Sequence, residues 1–366
     1  MIMQRQFLFF FFSLYITTVV SSHSEYGLSL SKAAHSTIMS WTSDGKTVAG
    51  GNGPGGALNQ LNASYGVFVQ ANDDVFVSDY FNNRVVKWAK GASTGILYAG
   101  GQCEVNQQDH LCNPTTLTFD KEGTLFVTVE NSTNGAVIRM KRGAAGTEMF
   151  ITADSSLYGI VWDEKEEFLY LTHHREHRVV KYSKDGQFVK VVAGGNGRGA
   201  ALNQLDYPRG VAVDQDGSVY VADSNNQRLM KWTVNAEQGV VIFGSHGIGN
   251  RTDQLDTPAA LIRDKSGTLY VVDERNNRII AVPVGAQNGT VIAGGNNQLN
   301  VPIYLAFNQR GDLYVSDSKN FRVQMFTMNS DPISDGGHIL ANKSIMFFCF
   351  LLYVIDLSAH LKINAF

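Results

Sequence analysis

The chain has 366 residues, 44% of them hydrophobic and 17% charged, with a formal net charge of −3. That is ordinary globular composition, long enough for a large core or several modules, and 7 Pro beside 36 Gly excludes a collagen-like or disordered chain. The slightly acidic balance excludes the basic surface that displaces counterions from nucleic acid, so no nucleic-acid partner is expected.

At the amino terminus Arg5 precedes the apolar run FLFFFFSLYITTVV (7–20), followed by SSHS. A bilayer span takes about 20 residues, and a shorter run with small residues behind it fits a secretory signal peptide. Residues 1–22 are predicted to be that signal, cleaved after Ser22, with an uncleaved signal anchor as the alternative. The protein is therefore expected to be secreted, and residues 23–46 form a lead-in.

The next segment, GGNGPGGALNQLN (50–62), sets Gly51-x-Gly53-x-x-Gly56 at dinucleotide-binding spacing. A dinucleotide fingerprint needs a helix after its third glycine, so that the helix N-terminus faces phosphate. Here the sequel is ALNQLNASYGVFV, a loop and then a strand. The same words return as GGNGRGAALNQLD at 194–206. The segment is a repeated reversal, with glycines supplying positive φ.

The recurrence extends along the chain. Residues 207–232 read YPRGVAVDQDGSVYVADSNNQRLMKW, and 65–88, 257–282 and 301–326 carry the same pattern. Weaker copies lie at 113–140 and 157–182, making six copies of about 44 to 52 residues each. Each divides into an apolar run, an Asp/Gly turn, an alternating run, an Asn-rich turn, a third run and a fourth ending in Gly-Gly. Four β-branched and aromatic runs separated by turn residues predict a four-stranded antiparallel meander. One such sheet cannot bury both faces, whereas six packed around an axis can. The predicted fold is all-β, a six-bladed β-propeller over 47–326. The last copy lacks a fourth run and the first is preceded by an orphan one, KTVAGG (46–51), so the N-terminal strand is expected to complete the last blade.

Cys103 and Cys112 bracket CEVNQQDHLC and are expected to form a disulfide in an oxidising compartment, with two free thiols as the alternative. A zinc site there would have an incomplete ligand set, with only His110 between them. Asn62, Asn131, Asn250 and Asn288 head glycosylation triplets, as does Asn342.

The 207–232 segment resembles the NHL repeat in its Pro-x-Gly-Val start, Asp-x-x-Gly turn, Tyr-Val-Ala-Asp, and Asn-x-x-Arg followed by an aliphatic residue. The likeness covers all six copies and is weakest in the second. It implies a six-bladed propeller and no single activity, since such propellers include RNA- and protein-binding domains, extracellular sensors and amidating lyases. The zinc site of those lyases draws its histidines from separate blades, and no catalytic residue can be carried over.

Asp79 and Arg84, Asp223 and Arg228, Asp273 and Arg278, and Asp317 and Arg322 recur five residues apart. Groups that repeat with the blade are expected to be structural, each Asp capping its turn and each Arg pinning a blade to its neighbour. Copy three breaks the rule with THHREHR, which puts His173 in the Asp position, His174, Glu176 and His177 beside it, and three of the chain's 9 His within five positions. His173 and His177, with His110 and His246 expected on the same face, are candidate ligands for zinc or calcium; the plainer reading is a polar turn. The loops of that face also offer Tyr80, Phe81, His174, Arg175, Arg275, Asn276, Lys319 and Phe321 as exposed anchors for a partner.

Beyond Phe326 a polar linker (327–343) leads to the apolar SIMFFCFLLYVIDL inside a C-terminal tail (344–366) that carries Cys349. Small residues, a spacer and an apolar tail resemble a lipid-anchor signal, with attachment at Ser334 to Gly337, although SAHLKINAF is a poor ending for one. The functional expectation is an extracellular, non-catalytic scaffold for a protein, peptide or glycan, without cofactor. The alternative is a metal-dependent lyase or hydrolase centred on 173–177.

Overall fold

The computed structural model describes residues 39–101, 103, 111–130, 135–295 and 297–329. The predicted signal peptide, His110, Asn131, Asn342, Cys349 and the C-terminal tail lie outside them.

The apolar runs become strands. Blade 1 consists of β2 (Ser64–Val69), β3 (Val75–Asp79), β4 (Arg84–Trp88) and β5 (Ile96–Gly100). Blade 2 consists of β6 (Pro114–Phe119), β7 (Leu125–Glu130), β8 (Gly135–Met140) and β9 (Glu148–Ala153). Blade 3 holds β10 (Leu157–Trp162), β11 (Phe168–His173), β12 (Arg178–Ser183) and β13 (Phe188–Gly194). Blade 4 holds β14 (Pro208–Val213), β15 (Val219–Asp223), β16 (Arg228–Trp232) and β17 (Val240–Gly244). Blade 5 holds β18 (Pro258–Arg263), β19 (Leu269–Asp273), β20 (Arg278–Val282) and β21 (Thr290–Gly294). Blade 6 takes β22 (Pro302–Phe307), β23 (Leu313–Asp317) and β24 (Arg322–Phe326). Its fourth strand is β1 (Lys46–Gly50), antiparallel to β24 with Thr47 opposite Gln324 and Gly50 opposite Arg322. The ring therefore closes through the N-terminal strand, as its repeat phase implies.

Burial falls from the second strand outward. Every residue of β3, β15, β19 and β23 is buried, because neighbouring blades cover both faces of these strands. The outer strands expose their first residues, such as Ile96 and Leu97 of β5. Each inner strand is bulged near its start, between Pro208 and Val211 in β14 for example, and a bulge re-aims the side chains it contains.

Two features tie the ends beyond the repeat itself. Trp41 is buried against Tyr270 and Phe307, donates its indole N–H to the Gly311 carbonyl at 2.8 Å, and bridges to Met328. In the same turn of blade 6, Asn308 (3.0 Å) and Arg310 (2.8 Å) donate hydrogen bonds to Asp73 of blade 1. The paired Lys90 and Arg310 hold the Asp73 carboxyl down to about 2.

The repeated GGNG…LNQL segment is a self-closed connector. Asn52 Nδ2 donates to the Asn59 carbonyl (2.9 Å), and Gln60 Nε2 donates back to the Asn52 carbonyl (3.0 Å). Asn196 and Gln204 repeat this arrangement, and His246 with Gln254 builds a variant of it. Gly194 must be glycine: its φ is +67°, and a Cβ would lie 2.4 Å from the His177 carbonyl oxygen. A strand follows each connector, so the helix terminus that would receive phosphate does not form. The Cys103–Cys112 disulfide closes the connector between blades 1 and 2.

Candidate recognition site at the channel mouth

The turn between second and third strands is built alike in blades 1, 4, 5 and 6. Asp223 accepts the Asp206 backbone N–H at 2.7 Å, Asn226 Nδ2 at 2.8 Å and Arg228 Nε at 2.7 Å. Asp79, Asp273 and Asp317 do the same. The remaining Arg228 nitrogens donate to the Ala200, Ala201 and Gln204 carbonyls of the connector entering its own blade. The Asp side chains thus make no cap bond to their own turns, and each Arg grips a connector rather than the next blade. The tie to the next blade comes from the left-handed residue that ends the turn. Asn83 Oδ1 accepts the Asn113 N–H (2.9 Å), Gln227 Oε1 that of Thr257 (2.6 Å) and Asn277 Oδ1 that of Val301 (2.7 Å).

On this frame two positions per blade lie at the end that carries these turns, the channel mouth: the second residue of the inner strand, inside its bulge, and the first residue of the turn. The inner-strand set is Tyr65, Thr115, Tyr158, Arg209, Ala259 and Ile303; the turn set is Tyr80, Glu130, His174, Ser224, Glu274 and Ser318. Glu130 accepts hydrogen bonds from the Tyr80 hydroxyl (3.1 Å) and the Tyr158 hydroxyl (3.2 Å), and Arg175 lies 3.9 Å from it. Tyr65 stacks on Tyr80 at 4.3 Å, and Phe81 meets the Tyr80 edge at 5.0 Å. Arg209 is ion-paired with Glu274, and its guanidinium sits 5.4 Å from the Tyr158 ring centre. Blades 1 and 4 stand opposite each other across the axis, yet the Arg209, Glu274 and Glu130 charges all bear on the Tyr65 hydroxyl. Five blades therefore converge here.

Burial raises the Tyr80 and Tyr158 phenols well above their usual range, with the Glu130 charge adding to the rise. Burial alone would make Arg209 less basic, but Glu274 more than restores it, and the guanidinium stays charged. His174 lies between Tyr158 and Tyr207, and its Nδ1–H donates to the Pro208 carbonyl at 3.1 Å. Burial and then the Arg209 charge lower it to about 4. The site thus combines phenols, two carboxylates, two guanidiniums and a neutral imidazole.

A family model describing the NHL repeat matches residues 205–232, the segment that carries Arg209, Asp223 and Arg228. The chain is a six-bladed β-propeller that carries an NHL repeat at 205–232. Solved structures share the fold at identities that speak to the fold alone. An auxiliary nutrient binding protein from Bacteroides ovatus ATCC 8483 aligns with TM-score 0.59 and 12% identity, over 80% of this chain and 78% of that one. The PQQ-bound aldose sugar dehydrogenase from Streptomyces coelicolor aligns at 0.55 and 11%, over 79% and 100%. A catalytically inactive virginiamycin B lyase from Staphylococcus aureus, with quinupristin, aligns at 0.52 and 13%, over 74% and 97%. No curated protein sequence matches the chain. Among the described residues no helix is long and apolar enough to cross a membrane.

In this propeller the His-rich turn does not gather its rings. His173 is buried within blade 3, sharing a 2.9 Å hydrogen bond with the Tyr182 hydroxyl, and burial followed by the Arg178 charge lowers it to about 4. His177 is the blade-3 latch, its Nδ1 accepting the Tyr207 N–H at 3.1 Å. His246 is exposed beside Asp253. Among the described residues no three His, Cys, Asp or Glu groups come together as metal ligands.

Of the predicted anchors, Tyr80, Phe81, His174 and Arg175 belong to the mouth. Phe81 is 60% exposed. Arg275 and Lys319 are exposed on neighbouring turns, and Phe321 is a half-buried turn terminus with φ 52°. Asn276 is committed to the frame, donating to the Gly249 carbonyl and Asp273. Asn250 and Asn288 are exposed and Asn62 is half-buried. Tyr65, Glu130, Tyr158, Arg209 and Glu274 escape the sequence reading. Their signal is that they are large or charged at repeat positions where other copies carry Thr, Ala, Ile or Ser.

Proposed function

We propose that the protein is an exported recognition module that binds an extracellular protein, peptide or glycan at the channel mouth, without chemistry of its own. One observation carries this reading: residues that obey the repeat build the frame, and the large residues that depart from it meet in one place from five blades. The mouth is suited to holding rather than reacting. Glu130 is bonded by two phenols and Glu274 by Arg209, so neither carboxylate is poised as a base. Aromatic and guanidinium groups on rigid strands are the usual anchors of recognition. Export is supported by the signal-like residues 1–22 and by the disulfide, which needs an oxidising compartment. Membrane attachment would come only through the C-terminal tail.

The purified secreted propeller, screened against peptide and glycan arrays and extracellular proteins, is expected to retain a ligand that Arg209→Ala and Glu130→Gln each weaken by at least about tenfold. A ligand indifferent to both changes would contradict the proposal. Elemental analysis separates the enzymatic alternative: a metal-free, stable domain is expected. Stoichiometric zinc or calcium, lost on replacing His173, His174 and His177, would favour a metal-dependent lyase or hydrolase.

A further inference from the structure

The ionised groups of the channel mouth answer one another. Glu274 is paired with Arg209, and Glu130 accepts from two phenol hydroxyls with Arg175 3.9 Å away. Two carboxylates thus stand against two guanidiniums in the layer that five blades build. Arg275 and Lys319 are exposed on the outer turns, where solvent and salt screen them. A charged guest would meet no uncompensated counter-charge in that layer and would still lose its hydration, a heavy cost for an unpaired ion. The mouth therefore suits a neutral guest.

The pairs keep hydrogen-bonding capacity, and its arrangement narrows the class. Both phenols donate to the same oxygen of Glu130, Oε2, so Oε1 keeps acceptor capacity beside Arg175. Arg209 spends Nη1 on Oε2 of Glu274. A guanidinium has further donors and a carboxylate further acceptor sites, so each pair still offers a donor and an acceptor side by side. A hydroxyl donates and accepts through one atom, and neighbouring hydroxyls of a sugar ring do so in series. A trans peptide group sets its N–H and C=O on opposite sides, so a peptide main chain cannot address both members of one such pair.

Ring faces complete the match. Phe81 is 60% exposed beside Tyr80, on which Tyr65 stacks. The apolar C–H face of a sugar buries against such a surface without using its hydroxyls.

We propose that the ligand of the channel mouth is a neutral oligosaccharide, whose hydroxyls bridge the Arg209–Glu274 pair and the Glu130–phenol cluster and whose ring face lies on Phe81. The inference rests on the reading of the mouth as the recognition site and adds the class of ligand.

An array of neutral, sialylated and sulfated oligosaccharides, probed with the secreted propeller beside a peptide array, tests it; the best-retained neutral glycan is then titrated calorimetrically. Neutral glycans are expected to be retained, with affinity changing less than about twofold when salt is raised about tenfold, since no ion pair forms on binding. Arg209→Gln and Glu274→Gln are each expected to weaken that glycan by about tenfold or more and Phe81→Ala by about fivefold, while Lys265→Ala, in the turn between β18 and β19, leaves it unchanged. Urea midpoints report folding, and Phe81→Ala, at an exposed ring, carries the test should either Gln substitution unfold the mouth. Retention of charged glycans or peptides alone, or a neutral glycan indifferent to Phe81→Ala, would overturn the proposal. If such a ligand still weakened with Arg209→Ala, the mouth would stand as the recognition site with another class of guest. No ligand on either array would overturn both readings together.

Discussion

Asp223 sits fully buried with three donors on its two oxygens, and among the described residues Arg228 has no other carboxylate partner. Removing the carboxylate strands a buried guanidinium, a change that costs about 3–5 kcal/mol. Asp223→Ala should lower the urea midpoint accordingly while Asn225→Ala, on the exposed rim of the same turn, should not; equal effects would show that the pair is dispensable. His173 gives the residue scale a pH signature. Its folded-state value of about 4 lies below the usual 6.5, so the unfolded chain binds the proton more readily. Its contribution is complete above pH 6.5 and is lost as pH falls toward 4, by about 3 kcal/mol in all. His173→Asn should flatten the decline of stability between those pH values, and an unchanged slope would refute the assignment. The Asp–Arg spacing was legible in the sequence because it repeats. The partners of these groups were not, because they lie on connectors 17 to 28 residues away in the chain.

Strands were legible as elements. Period-two runs such as VYVAD and LYVSD, cut by Asp-Gly turns, can bury both faces only when stacked between other sheets. The six copies and the unpaired run at 46–51 likewise specified the ring and its closure. The segment before β1 was not legible. Trp41 stands alone in a polar stretch with no periodicity around it, and its role appears only when blades 5 and 6 lie beside it. Deleting its ring should cost about 3–5 kcal/mol, the usual penalty for a buried Trp cut to Ala. Trp41→Ala should therefore lower the unfolding midpoint far more than Met39→Ala, a partly exposed neighbour. Comparable midpoints would mean that the lead-in contributes nothing to closure. Gly194→Ala provides a second check, since it forces a Cβ onto the His177 carbonyl at the blade-3 latch.

For the molecule as a whole, sequence symmetry and function are complementary. A ring of like sheets needs the same turns, latches and connectors six times, so invariance marks the frame; binding needs a unique surface, which arises where the copies differ. Half of the mouth was accessible to that logic, through Tyr80, Phe81, His174 and Arg175 on a visibly irregular turn face. Of the rest, Glu130 and Glu274 open turns whose other copies carry small or dissimilar residues, while Tyr65, Tyr158 and Arg209 sit inside the inner-strand bulges, where the sequence looks like ordinary strand. The mouth histidine of blade 3 comes from a local change in turn composition within one copy.

The central claim is that recognition occurs where five blades converge. Amide hydrogen exchange of the secreted propeller with its retained ligand tests this most directly. Protection is expected in separate peptides around Tyr65 and Tyr80, Glu130, Tyr158 and His174, Arg209, and Glu274, with the opposite-face turns unchanged. Protection restricted to one blade, or to those opposite turns, would contradict the account.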